Sequence, residues 1–353
     1  MKIKFEKREN LKDKPKDIKD VVFGTVFTDY MLKISYKKDI GWHNMLITPY
    51  KPIEIEPASI ILNYSQSVFE GLKAYLSEED EILLFRPDKN MKRLNQSCDR
   101  LCIPKIDEKK VLEGIKELLK IEKDWIPKGE NSSLYIRPII YGTSSKLGVM
   151  PSEEYELLVI LSPVGPYYKS GMKPVNVLVE DEYVRATKGG MGFAKTGGNY
   201  AVGLKSQEKA YKKGYNQIMW LDGVHRKYVE ELGGMNVFFV IDEKVITPSV
   251  NGSILEGVTR ESVIEILKEN KYQVEERNIS INEIYDAYEN GSLQEIFSTG
   301  TAAVISPVGK LMYKDKEISI NNQEIGKVSL ELYKEITDIQ YGRKESKWSV
   351  IVK

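Results

Sequence analysis

Cysteine and histidine are nearly missing from these 353 residues, with two of each. Cys98 and Cys102 stand four apart in Met91–Cys102, a stretch with helical spacing, which predicts two reduced, half-buried thiols on one helical face. So few thiols and imidazoles cannot close a structural metal site. A serine-type triad needs a histidine, but His225 follows the hairpin signal Asp222-Gly223 and His43 falls between short predicted strands. No apolar run approaches the ~20 residues of a membrane-spanning helix; Val237–Ile241 is typical of the longest. Net charge is absent too: Lys+Arg and Asp+Glu both number 52, so no overall field draws nucleic acid or an acidic membrane surface. The N-terminal stretch interleaves Glu6, Glu9, Asp13 and Asp17 with lysines and has no apolar signal core, so it reads as a solvated arm of a cytoplasmic protein.

What is present is an ordinary globular balance, 41% hydrophobic and 29% charged, in a chain long enough for two cores. Ile60–Tyr64 and Glu81–Phe85 read as strands, as do Ser133–Tyr141 and Tyr155–Leu161. Between them, Val111, Leu112, Ile115, Leu118 and Leu119 mark a helix over Asp107–Ile121. The stretch from Tyr168 to Pro174 is polar, Gly/Pro-bearing and without periodicity, which predicts a linker. A strand at Val175–Glu180, a helix at Ala201–Lys212, a hairpin around Asp222-Gly223, a strand at Val237–Ile241 and a helix from Thr259 follow. The expected organisation is an α/β (mixed α+β) chain: residues 1–169 a small domain, 170–182 a linker, and 183–353 a larger domain. Repeats and low-complexity tracts are lacking.

The most unusual segment runs from Gly189 to Tyr200, where five glycines lie within ten positions around Lys195. Glycine lets the main chain approach a ligand closely. Two chemistries want a lysine there. One is a phosphate loop: Gly189, four residues, Ala194, then Lys195-Thr196, with Ile218–Asp222 as the acidic strand. Ala194 replaces the second glycine of that motif, and Gly197-Gly198 stand where a helix should start. The other is a Schiff base, which needs a phosphate site, a carboxylate for a pyridine nitrogen and a donor for the ring oxygen. Arg185, the helix start at Gly257-Val258-Thr259, Glu231 beside Gly233-Gly234, and Tyr200 are candidates. Spacing alone leaves both chemistries open.

The motifs Val184–Gly190, Gly192–Tyr200, Glu231–Asn236, Leu255–Arg260 and Ser298–Ala302 together resemble the branched-chain aminotransferases, pyridoxal-phosphate enzymes of fold type IV. The resemblance extends to Val22–Leu32, Asn63–Lys73, Phe85–Pro87, Ser133–Pro138 and, in the tail, Leu332–Arg343, in the right order over nearly the whole chain. Tail and length look like the larger subclass. A D-amino acid aminotransferase or an aminodeoxychorismate lyase is the in-class rival; the phosphate-loop nucleotide hydrolase is the out-of-class one.

The resemblance implies a two-domain fold with a C-terminal pseudo-barrel that carries pyridoxal 5'-phosphate. It assigns Lys195 as the catalytic Schiff-base lysine, Glu231 to the pyridine nitrogen and Tyr200 to the ring oxygen. Arg86, Arg185, the amides of Val258 and Thr259, and Thr301 would hold the phosphate. Phe23, Phe69, Tyr135, Tyr167, Met235 and Ala302 would wall the substrate pocket, with Tyr64, Leu147 and Val149 reaching in from the partner of a homodimer. Arg137 would take the distal carboxylate of glutamate. Amino acids and 2-oxo acids are thus the implied small-molecule partners. Two positions depart from the family: Gly234, often threonine, at the substrate carboxylate, and Ala303 and Ser306 where the animal enzymes carry a redox-sensitive cysteine pair.

Overall fold

The computed structural model describes residues 2–165 and 172–353. The chain forms two compact units of mixed α/β structure, each built on a nine-stranded sheet. The first unit takes residues 1–169 with 194–197 and 338–353; the second takes 170–193 and 198–337. The division therefore differs from three contiguous blocks. The C-terminal tail supplies a strand, Ser349–Val352, to the first sheet, and with it the first unit becomes the larger. Strand Val175–Glu180 lies inside the span 170–182 given to the linker, and the remainder of that linker falls partly outside the described residues.

In the first sheet the long central pair is Ser133–Gly142 with Glu154–Val164. Tyr30–Lys37 and Gly41–Pro49 continue it on one side, and Leu72–Leu76, Ile82–Phe85 and Ser349–Val352 on the other. Helices Pro87–Arg100 and Glu108–Ile121 turn Met91, Leu94, Ile115 and Leu118 into one core with Leu32, Ile34, Met45 and Ile47. Each such side chain stabilises the fold by roughly 1.5–3 kcal/mol when fully buried. Asp107 caps the second helix through Lys110 N–H. Gly114 lets it settle close to the sheet, since a Cβ there would stand 2.9 Å from Leu32 Cδ2.

Pro138 explains a break that shapes the site. Proline has no N–H for a neighbouring strand. On its open side the partner strand is interrupted: Ser67–Phe69 pairs up to Ile139, and Leu72–Leu76 resumes at Ile136. Only the Pro138 carbonyl is used there, accepting Glu70 N–H at 2.8 Å. Glu70-Gly71 is the resulting kink, and it places a carboxylate in the middle of a sheet.

The second sheet runs Val229–Leu232, Gln217–Leu221, Val175–Glu180, Val304–Tyr313, Leu293–Gly300, Asn236–Ile241, Lys244–Thr247, Gln273–Glu276, with Lys316–Ser319 added beside Val304–Tyr313. Phe238 and Phe297 stack in its fully buried centre.

Four local expectations are corrected. Ile60–Tyr64 is a short helix, not a strand; Ser59 O receives the N–H groups of Leu62 and Asn63, and Asn63 Nδ2 bonds back to Pro57 and Ser59. The cysteines do not share a helical face, because the helix ends at Arg100 and Cys102 takes a left-handed φ of 54°. Cys98 is buried and Cys102 exposed. His43 lies within strand Gly41–Pro49, not between strands. The helix expected over Ala201–Lys212 is broken into Gly198–Ala201 and Leu204–Lys212. Among the described residues no helix is long and apolar enough to cross a membrane.

Glu122 caps the end of helix Glu108–Ile121 and is 2% exposed. Burial pushes its carboxyl from 4.5 up to about 7, against the Tyr30 N–H that it accepts. The folded state thus holds a proton that the unfolded chain releases, so this site's stability is full below pH 4.5 and lost as pH rises to about 7. Glu122→Gln should escape the loss: its stability relative to wild type rises over that window by at most about 3 kcal/mol. Urea unfolding across pH measures this, and a difference that stays flat contradicts it.

Candidate active site

Lys195 belongs to the short piece of the glycine-rich segment that groups with the first unit. Its main chain is fastened at both polar groups. The N–H donates to Ser97 Oγ at 2.9 Å, and the carbonyl accepts Phe69 N–H at 3.0 Å. Next to it the buried Thr196 hydroxyl donates to Ser67 O at 2.7 Å. The half-buried Lys195 amine lies 5.1 Å from the centre of the Phe69 ring, and the Arg137 guanidinium lies 4.7 Å from the same ring. Arg137 Nη2 also donates to Tyr135 Oη at 3.0 Å, while its buried Nε has no hydrogen-bond partner among the described residues. Phe23 meets Tyr135 edge-on at 5.1 Å. Gly71 is required here, because a Cβ would stand 2.1 Å from Tyr135 Oη. Lys195, Phe23, Phe69, Tyr135 and Arg137, five of the expected site residues, thus form one aromatic and cationic group.

Beneath it lies a charge that sequence reading does not single out. Glu70 is fully buried and receives Arg93 through Nε at 2.7 Å and Nη2 at 2.9 Å, with Asn90 Nδ2 at 2.8 Å. Burial alone would raise the Glu70 carboxyl; the charge and hydrogen bonds of Arg93, with Lys195 and Asn90, outweigh it and hold the carboxyl below its ordinary value. A charged residue within the apolar run Ser-Val-Phe-Glu-Gly-Leu is the available signal. Ser97 has none. Burial also pushes the amine of Lys73 down to about 8, a second amine to be told apart from Lys195 in any trapping experiment. Arg86 is buried, begins helix Pro87–Arg100 with a φ of 46°, and lays its guanidinium 4.8 Å from the Trp348 ring. Tyr64, Leu147 and Val149 are all exposed, Val149 at 84%, and the Tyr64 hydroxyl donates to the Leu147 carbonyl.

The second unit holds its own buried pair. Arg185 Nε lies 3.0 Å from Glu231 Oε2, an ion-pair distance without hydrogen-bond alignment, and both side chains are nearly fully buried. Glu231 Oε1 accepts Leu255 N–H at 2.8 Å. Arg185 Nη2 donates to the carbonyls of Ser253 at 2.6 Å and Gly192 at 3.2 Å. Two of its three nitrogens are therefore directed at its own unit, which fits a counter-ion for Glu231 better than the phosphate role that the resemblance assigns. Glu230, another residue without a sequence signal, takes the Ser253 hydroxyl, and burial raises its carboxyl. Helix Val258–Glu269 starts at Gly257 with no side-chain cap, and Thr259 in its first turn is buried; uncapped first amides are the kind of group that can receive an anion. Thr301 and Ala302 lie in the turn between strands Leu293–Gly300 and Val304–Tyr313, and Gly300 is near enough to Met235 that a Cβ would stand 3.0 Å from its Cγ. A Cβ at Gly234 would stand 3.3 Å from the Tyr200 ring. Tyr167 lies outside the described residues.

The phosphate-loop reading fails on geometry. The helix that starts next to the lysine, Gly198–Ala201, has four residues and breaks before Leu204–Lys212 begins. Asp222, the intended metal ligand, instead accepts the N–H groups of Val224, His225, Lys227 and Tyr228 and so closes its hairpin turn. Gly192 carries the packing around Arg185: a Cβ there would stand 2.0 Å from Ser253 O, a main-chain atom unable to swing aside. Gly192→Ala should destabilise the protein by about 1–3 kcal/mol or more, read as a lowered urea midpoint. An unchanged midpoint would show that the loop repacks freely.

Comparison with known proteins shows the family of the chain. The family described as amino-transferase class IV matches residues 67–311. A probable branched-chain-amino-acid aminotransferase of Staphylococcus epidermidis is 55% identical over 348 residues, covering 98% of this chain and 97% of that one. Branched-chain-amino-acid aminotransferase 2 of Bacillus subtilis is 56% identical over 340 residues, 96% and 93% of the two chains. Among solved structures, the Escherichia coli branched-chain amino acid aminotransferase superposes with a TM-score of 0.77 at 26% identity, covering 92% of this chain and 99% of that one. A second branched-chain amino acid aminotransferase, complexed with N-(5'-phosphopyridoxyl)-L-glutamate, gives 0.74 at 27% identity, with 91% and 98% covered. With more than half of its length matched by the family and relatives more than half identical along nearly all of it, this chain belongs to the class IV aminotransferases.

Proposed function

We propose that the protein transfers the amino group of L-leucine, L-isoleucine or L-valine reversibly to 2-oxoglutarate, with pyridoxal 5'-phosphate, in a ping-pong cycle. The observation that carries the reading is the buried Arg185–Glu231 pair, which sets a carboxylate beside a fixed cation, and a protonated pyridine nitrogen requires a carboxylate partner. The relatives' names support it, as does the phosphopyridoxyl-glutamate adduct held by the structural neighbour. Bound by these residues, pyridoxal phosphate supplies the electron sink that makes the substrate α-proton removable.

The chain's own residues do the rest. Lys195 carries the amine that meets the cofactor aldehyde and afterwards takes and returns the α-proton. Glu231 keeps a proton on the pyridine nitrogen, with Arg185 as its counter-ion. Tyr200 donates to the ring oxygen. The amides of Val258 and Thr259, with Arg86 and Thr301, hold the phosphate. Phe23, Phe69, Tyr135, Met235 and Ala302 exclude water and favour an apolar side chain, and Tyr167 joins them by resemblance. Arg137, with an unmatched buried Nε beside Tyr135, suits the distal carboxylate of glutamate. Gly234 leaves the neighbouring amides to meet the substrate carboxylate. The working form is a cytoplasmic homodimer, in which the exposed Tyr64, Leu147 and Val149 enter the partner's pocket.

Borohydride reduction of the purified protein followed by peptide mapping tests the reading. The reduced adduct is expected on Lys195; an adduct on Lys73, or none, overturns it. Glu231→Gln should lower kcat by ~100-fold or more while the cofactor stays bound. A wild-type rate would show that the pyridine partner is another residue. Activity with D-alanine in place of L-isoleucine would move the protein to the D-amino acid branch of the class.

A further inference from the structure

We propose that Ser97 is a positioning residue for the Lys195 amine, an inference that rests on the cofactor role given to Lys195 above. A lysine that must bond to one atom and then move a proton between others needs a mobile side chain on a fixed main chain. Its four-carbon stem supplies the first. The second is a closed circuit of contacts, all within the first unit. Lys195 N–H bonds to Ser97 Oγ at 2.9 Å, and Lys195 O accepts Phe69 N–H at 3.0 Å. Phe69 is followed by Glu70, whose carboxylate holds Arg93 at 2.7 Å. Arg93 O in turn accepts the Ser97 hydroxyl at 3.1 Å, one turn along helix Pro87–Arg100.

Each link in the circuit has a distinct physical character. The Phe69 bond is main chain to main chain, so most residues could supply it. The Glu70–Arg93 pair is buried, with side-chain exposures of 0% and 8%, and ties the helix to the kink opposite Pro138. Ser97, itself 0% exposed, meets the Lys195 main chain through its side chain, so this link depends on residue type. Its hydroxyl is used in both directions, donating to Arg93 O and accepting from Lys195. Alanine removes both bonds. Cysteine keeps the size and puts a weak acceptor in the oxygen's place. In either variant the Lys195 N–H loses the Ser97 oxygen, and the Cα from which the amine swings is less firmly fixed.

The holoenzyme carrying Ser97→Ala or Ser97→Cys tests this. Wild type is first reduced with borohydride and mapped, so that the role of Lys195 is settled separately. Three quantities are then compared: kcat and KM for L-isoleucine, the midpoint of the pH titration of the cofactor absorbance, and thermal stability. Positioning predicts kcat lower by about 10- to 100-fold in both variants, since a misplacement of about 1 Å can cost that much. KM should stay within about twofold, as an interaction used only in the reacting state requires. The titration midpoint, which reports the proton held at Nζ, should move. A lower melting temperature with wild-type kcat and midpoint would make Ser97 merely structural and overturn the proposal. If the alanine variant does not fold, the cysteine variant decides by the same readings. Absence of the wild-type Lys195 adduct would instead overturn the underlying reading.

Discussion

A lysine amine on a flexible stem reaches the same point repeatedly only if its main chain is held still. In this protein the holding is done by hydrogen bonds to both main-chain polar groups of Lys195. The glycines around it give the segment its path but no rigidity of their own. Rigidity comes from Ser97 on a helix and Phe69 on a strand, and those two elements are joined by the Glu70–Arg93 pair. Pro138 is the origin of that arrangement, since the strand break it imposes is where Glu70 enters the sheet.

Buried ion pairs are expensive, because desolvating two charges can cost as much as their attraction returns. Among the described residues each unit nevertheless has such a pair: Glu70–Arg93 in the first and Arg185–Glu231 in the second. Their geometries differ in a way that suits different work. Glu70 is bound on both oxygens by Arg93 and again by Asn90, which makes it a fastening. Glu231 is approached by Arg185 without alignment and accepts the Leu255 amide at Oε1, so it is held less tightly by its arginine than Glu70 is. The proposed function uses the second pair for chemistry and the first for placement.

Much of this is legible in the sequence, for physical reasons that can be named. Helix Glu108–Ile121 is visible because its apolar residues recur at helical spacing behind the cap Asp107. Strand Val175–Glu180 is visible as an apolar run between turn signals. Ile60–Tyr64 reads wrongly as a strand because a largely apolar stretch of five residues has no period long enough to separate strand from helix. Phe23, Phe69, Tyr135 and Arg137 can be named only through motif resemblance, and their mutual packing cannot be read from residues so far apart in the chain. The tail strand and the placement of residues 194–197 are long-range pairings with no local signature. Ser97 and Arg93 read as ordinary helix residues, and only the fold turns them towards Lys195 and Glu70.

The central claim is that the Lys195 amine would hold the cofactor and would move the α-proton of an apolar L-amino acid. The most direct measurement is the visible absorbance of the purified protein before and after L-leucine is added, in wild type and in Lys195→Ala. The account predicts a yellow wild-type protein whose band is lost on addition of L-leucine and regained with 2-oxoglutarate, and a lysine variant that shows no such cycle. A colourless wild-type protein, or a lysine variant that cycles as wild type does, would contradict it.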